Sequence, residues 1–144
     1  MYLVMKREVF ILGKKIKQIS IKYDSTYSLF NIENYDDELI ITNGSVICKR
    51  NFHYLEEEIM WKYSYSDGCF SEKFEQICNA VSNRGEQKMA SLDWGIAIIN
   101  IVYDDDTYQQ DTYDSSLVEN GCDELVKELL SVIPQGFFIP KFLR

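Results

Sequence analysis

The sequence predicts a single α+β domain with a mainly antiparallel sheet of about six to seven strands and two helices, at about 71–83 and 121–133. Two patterns predict these elements. Short segments with alternating apolar side chains are separated by turn residues, as in strands joined by hairpins, and two other segments carry apolar side chains at helical spacing. The chain has 144 residues, 46% of them hydrophobic. This size and composition suit one packed domain, and no linker or repeat divides residues 1–144.

Strands are expected to dominate the first third of the chain. Segments near 2–12 and 15–23 alternate apolar and polar residues, and residues 26–32 are a further candidate strand. The polar run from Tyr35 to Glu38 interrupts this pattern. We therefore predict that this run is a loop.

The strongest local signal is a β-hairpin. Residues 38–42 and 45–48 are rich in β-branched side chains and flank the dipeptide Asn43-Gly44. Asn-Gly favours the two positive φ angles of a type I′ turn, which joins antiparallel strands with two residues. Residues 57–65 are predicted to form the next strand because their large apolar side chains alternate, although the glutamates at its start favour a helix.

Two helices are predicted from their apolar stripes. The stripe of helix 71–83 consists of Phe74, Ile77, Cys78 and Val81, and that of helix 121–133 consists of Leu125, Val126, Leu129, Leu130 and Ile133. Ser71 is positioned to cap the first helix. Pro134 prevents continuation of the second because proline lacks the backbone N–H that the helix needs. Each stripe is expected to face the sheet.

Between the helices, the sequence predicts two more strands. Residues 95–103 form a nearly continuous apolar run, which is typical of a central strand covered on both faces. Asp104 to Asp106 follow as a turn, and residues 107–113 alternate as in a strand.

The sequence indicates where in the cell the protein is located, whether its cysteines are reduced and whether it binds a cofactor. The apolar run at Val9 to Leu12 is too short for a signal peptide or a membrane span, so a cytoplasmic location with no membrane contact is expected. The four cysteines are widely spaced and form no CxxC pair, which favours reduced thiols over disulfides. No P-loop, GxGxxG, GxSxG or HExxH motif occurs, and we expect no cofactor.

Catalytic and metal sites have little support in the sequence. The chain has one histidine, so any Cys–His pair would have to use His53, with Cys48 as the nearest thiol in sequence. Asp104 is followed by Gln109 and Ser115, where an EF-hand loop needs glycine at the sixth position and glutamate at the twelfth. We therefore expect neither a metal site nor an enzyme.

The distribution of charge is the feature of the sequence that says most about function. The formal net charge is −8, and from Met89 to Val126 there is no lysine or arginine. Such a protein should repel nucleic acid and anionic membranes and attract basic proteins. Aromatic anchors among steering charges are typical of protein interfaces. The predicted partner-binding residues are Asp104, Asp105, Asp106, Tyr108, Asp111, Tyr113 and Asp114.

In general character the chain resembles bacterial immunity proteins, which are often small, acidic, single-domain and without catalytic motifs. The resemblance is limited to size, charge, domain number and the lack of catalytic motifs, and no sequence motif of a family supports it. It implies a cytoplasmic protein that blocks the active site of a basic partner, such as a nuclease-type toxin. One alternative is an adaptor or structural subunit that docks through an aromatic tail, formed by Phe137, Phe138, Phe142 and Leu143. The other is a small enzyme using carboxylates and His53.

Overall fold

The structure, a computed structural model, describes residues 14–24, 35–53, 57–66, 68–85, 96–114, 117 and 121–143. The predicted α+β fold with an antiparallel sheet is confirmed. In chain order the elements are β1 (Ile16–Asp24), β2 (Tyr35–Thr42), β3 (Ser45–Phe52), β4 (Glu57–Ser64), α1 (Ser71–Ser82), β5 (Ile96–Tyr103), β6 (Tyr108–Asp114), α2 (Asp123–Val132) and a short 3₁₀ helix (Lys141–Leu143). The predicted strands at 2–12 and 26–32 lie outside the described residues.

The six described strands form one sheet in the order β4-β3-β2-β1-β5-β6, and every neighbouring pair is antiparallel. Strands in a sheet lie about 4.8 Å apart. The β4 and β6 edges of the described sheet are therefore about 24 Å apart, across five steps of about 4.8 Å.

The hydrophobic core lies between one face of the sheet and the two helices. Residues of the inner strands, such as Ile19 and Ile99, join one buried cluster with Ile77 and Leu129 of the helices. The helical stripes therefore face the sheet as their spacing predicts. Leu130 is the exception, because it lies at the margin of the α2 stripe and is 40% exposed.

The hairpin at Asn43-Gly44 is confirmed, but its turn type is not the predicted one. Neither residue has a positive φ angle, so the turn is not type I′. The Thr42 hydroxyl accepts a hydrogen bond from the Gly44 N–H at 3.3 Å, and the Gly44 carbonyl accepts one from the Tyr65 N–H at 2.8 Å. The turn therefore has a backbone conformation other than type I′, the one that Asn-Gly favours, and these two hydrogen bonds form in that conformation.

The prediction of a polar loop from Tyr35 to Glu38 was wrong, because these residues form the first half of β2. Asp37 points into the molecule, where its buried carboxylate pairs with Arg50 on β3. Arg50 Nε lies 2.8 Å from Asp37 Oδ1, and Nη2 lies 3.1 Å from Oδ2. A bidentate partner on the neighbouring strand thus allows a charged residue to occupy a core position.

Two other local predictions need correction. Phe70, not Ser71, occupies the N-cap position of α1, and no side chain caps that end. The β5 strand is paired on both sides, with β1 and with β6, but it is not covered on both faces as predicted, because Ile98 and Val102 on its second face are only half-buried. Among the described residues, no helix is long and apolar enough to cross a membrane.

Candidate functional site

The three tyrosines of the acidic segment have different environments. Tyr103 and Tyr113 are buried in the core, and burial raises the pKa of both hydroxyls. The Tyr113 hydroxyl donates a hydrogen bond of 2.7 Å to the Gly85 carbonyl. Tyr108, by contrast, is 68% exposed. Tyr113 is therefore a structural residue and, contrary to the prediction, does not belong to the partner-binding surface. Tyr108 is exposed and can contact a partner.

The turn between β5 and β6 holds its acidic residues in a defined conformation. Asp106 has a φ angle of 67° and donates its N–H to the Tyr103 carbonyl at 3.0 Å. The Asp105 carboxylate accepts hydrogen bonds from the hydroxyl and from the N–H of Thr107, the latter at 3.0 Å. These bonds lower the pKa of Asp105, which is therefore ionised at neutral pH.

Lysines from the start of the described chain lie beside this turn. Lys14 Nζ is 3.6 Å from Asp105 Oδ2, and Lys17 forms an ion pair with Asp106. The Asp104 N–H donates to the Lys15 carbonyl at 2.8 Å, which ties the turn to the residue preceding β1. The absence of bases between residues 89 and 126 of the sequence therefore does not make this surface purely negative, because β1 and the residues before it bring lysines to it.

Asp111 has a different role from the acids of the turn. It forms an ion pair with Arg84, which follows the end of α1, and both side chains are mostly buried. This pair attaches β6 to the helical layer, so Asp111 is a structural residue that is poorly exposed to a partner. Asp114 is the last residue of β6, opposite Ile96, and its side chain lies outside the described part of the structure.

Four of the predicted residues thus form one compact surface, which we call the acidic corner: Asp104, Asp105, Asp106 and Tyr108. Its three carboxylate residues and its tyrosine are all exposed. The corner is at the β6 edge of the described sheet and is a hydrogen-bonded structure with one exposed aromatic side chain. It can offer a partner negative charge and apolar contact area, but its four residues include no thiol or imidazole.

The groups considered for catalysis have other partners. His53 Nε2 lies 3.0 Å from Asp36 Oδ2. Cys48 is fully buried in the core, and burial, with a smaller effect of Asp37, raises the pKa of its thiol to about 12. A protonated, buried thiol is a poor nucleophile. Within the described ranges, no group of three or more His, Cys, Asp or Glu side chains is arranged to hold a metal ion.

The aromatic C-terminal segment is packed against the domain. Phe142 and Leu143 are buried in the core. Phe137 makes an edge-to-face contact with Trp61, with ring centroids 5.0 Å apart, and the Arg50 guanidinium lies 4.3 Å from the Phe138 ring centroid. These side chains contribute to internal packing, so the segment does not present the free apolar tail that a docking adaptor needs.

Comparison of the chain with known proteins gives no information on its family or function. No protein-family model matches it, and no curated protein matches it significantly.

Proposed function

We propose that this chain is a non-catalytic cytoplasmic binding protein that blocks the active site of a basic protein partner. The most concrete form of the proposal is a bacterial immunity protein that inhibits a nuclease-type toxin. The observation that carries it is the acidic corner, where a hydrogen-bonded turn exposes three aspartates and is followed, at the start of β6, by the exposed side chain of Tyr108.

Preorganisation of the turn supports this proposal. A partner that binds a flexible loop must also order it, which reduces affinity, whereas a turn already held by hydrogen bonds avoids much of this cost. The Asp105 bonds to Thr107 and the link from Asp104 to the Lys15 carbonyl hold the corner before any partner arrives. Its carboxylates can then act as mimics of the phosphates that a nuclease cleft binds.

The neighbouring lysines reduce the negative potential of the corner but do not remove it. The Lys17–Asp106 pair is largely exposed, and exposed ion pairs contribute only about 0–1 kcal/mol. A strongly basic cleft can therefore displace these lysines at small cost. The net charge of −8 supplies the longer-range attraction, which accelerates association with a basic protein.

A nuclease assay tests the proposal. The probe is the purified protein encoded by the gene next to that of this chain; it should have nuclease activity, and equimolar chain should suppress that activity. Tyr108→Ala should weaken inhibition by raising the dissociation rate, with a cost of about 2 kcal/mol, or roughly thirtyfold in Kd, if the ring is an interface anchor. The control is Leu130→Ala, which removes another exposed apolar side chain from the helical layer.

Unchanged inhibition by the Tyr108→Ala variant would show that the corner is a solvated surface. Complete failure of the parent chain to bind or inhibit the nuclease would reject the immunity form of the proposal.

A further inference from the structure

The β4 strand has the largest concentration of exposed apolar side chains in the described structure. All eight residues of β4 are exposed. Of the seven large hydrophobic residues that are exposed in the described part of the chain, four lie on this strand: Ile59, Met60, Trp61 and Tyr63. Met60 is 56% exposed. Edge strands commonly avoid association by carrying charged residues or proline. The β4 strand carries Glu57, Glu58 and Lys62, but it combines these charges of both signs with four exposed apolar side chains.

The backbone of β4 shows which of its residues can pair with a further strand. The Tyr65 N–H donates to the Gly44 carbonyl at 2.8 Å, in register with the β3–β4 ladder. Hydrogen-bonded positions alternate along an antiparallel ladder, so the odd-numbered residues of β4 direct their backbone groups towards β3. The even-numbered residues Glu58, Met60 and Lys62 direct theirs towards the outer edge, where no described strand pairs with them.

We propose that the outer edge of β4 binds the β4 edge of a second copy of this chain, antiparallel, across a two-fold axis at Met60. Two identical strands paired in this register place Met60 opposite its own copy and Glu58 opposite Lys62 of the other copy. Both copies make the same Glu58–Lys62 pair, so the edge is complementary to itself in charge. About six backbone hydrogen bonds form, two at each of three opposed pairs.

The apolar side chains fit the same register. On the opposite face of the strand, Ile59 of each copy lies opposite Trp61 of the other, and aromatic pairs with β-branched residues stabilise antiparallel sheets. The contact of Trp61 with Phe137 already orients the indole ring. A shift of two residues in either direction would place Glu58 or Lys62 opposite Met60, and the two charges would no longer oppose each other within β4. A shift of one residue would oppose backbone groups that point towards β3.

This proposal does not depend on the acidic corner, because β4 and β6 are opposite edges of the described sheet. Its failure would leave the proposed function untouched, and a failed nuclease assay would leave the dimer intact.

Sedimentation equilibrium over about a thousandfold range of protein concentration tests the dimer. The parent chain should dimerise. Glu58→Lys and Lys62→Glu should each raise the dimer Kd about tenfold or more, because like charges then oppose each other twice. An equimolar mixture of these two variants should form a heterodimer with roughly the parent Kd, since each then supplies the charge that the other lacks. Glu124→Lys on α2 is the matched control and should leave the Kd unchanged.

Met60→Pro adds a test of the backbone ladder. It removes an outward N–H and leaves the hydrogen bonds to β3 in place, so the variant should be monomeric and folded by circular dichroism. A parent chain that remains monomeric throughout overturns the proposal and leaves this edge to a different protein. If neither charge reversal changes the dimer Kd, or if the two variants do not form the heterodimer, the proposed register is wrong.

Discussion

The buried Asp37–Arg50 pair provides a quantitative test of the fold. Asp37→Asn keeps the shape of the side chain but removes its charge, which leaves the Arg50 guanidinium without its buried counter-ion. The Asp37 side chain is 0% exposed and that of Arg50 is 17% exposed, so solvent can compensate only slightly. Breaking such a pair costs about 3–5 kcal/mol, a large part of the roughly 5–15 kcal/mol that stabilises an ordinary domain.

Urea unfolding measures this loss. Glu38→Gln is the matched control, because it removes the same charge from the adjacent residue of β2 and should change stability by only about half a kcal/mol. Replacing both partners, as Asp37→Leu with Arg50→Met, should recover much of the loss because no buried charge remains. A loss below about 1 kcal/mol for Asp37→Asn would refute the buried pair and the core position of β2 that depends on it.

Two further predictions distinguish buried from exposed groups. Tyr113→Phe removes the bond to the Gly85 carbonyl and should cost about 1–3 kcal/mol, whereas Tyr108→Phe should leave the unfolding midpoint in urea nearly unchanged; equal losses would contradict the two environments. Burial raises the pKa values of Cys48 and Cys78 from 9.0 to about 12, so their contribution to stability is complete below pH 9 and falls as the pH rises from 9 towards 12. The free energy of unfolding measured across that range should decline, and a thiol reagent should label the exposed Cys69 before Cys48 or Cys78. A free energy of unfolding that does not change with pH, together with rapid labelling of all three cysteines, would contradict this.

The fold was largely predictable because its signals are local. Side-chain alternation predicted β4 and β6 within one residue at each end, and the stripe of Phe74, Ile77 and Val81 predicted the buried face of α1. The error at β2 has a non-local cause. Asp37 resembles a loop residue until Arg50 is known to face it from the neighbouring strand, and that pairing depends on the register of the β2–β3 hairpin.

The candidate site was only partly predictable for a related reason. The sequence correctly indicated an acidic turn at Asp104 to Asp106 but could not show that Lys14 and Lys17, about ninety positions earlier, lie beside it. The same limit applies to Tyr113. A spacing of five residues from Tyr108 directs the two side chains to opposite faces of β6, which was a signal available in the sequence. The burial of one face could be known only from the sheet order.

The association rate constant with the nuclease tests the central claim most directly. Asp104→Lys with Asp106→Lys reverses the net charge of the acidic corner and keeps the Asp105 carboxylate that holds the turn through Thr107, whereas reversing Asp111 would also break its pair with Arg84. The matched variant, Glu72→Lys with Glu75→Lys on α1, changes the net charge equally at a different surface. Stopped-flow measurements at low salt should show association slowed at least about tenfold more by the corner reversal than by the helix reversal. Equal rate constants for the two variants would mean that only net charge acts and that the acidic corner is not the binding surface.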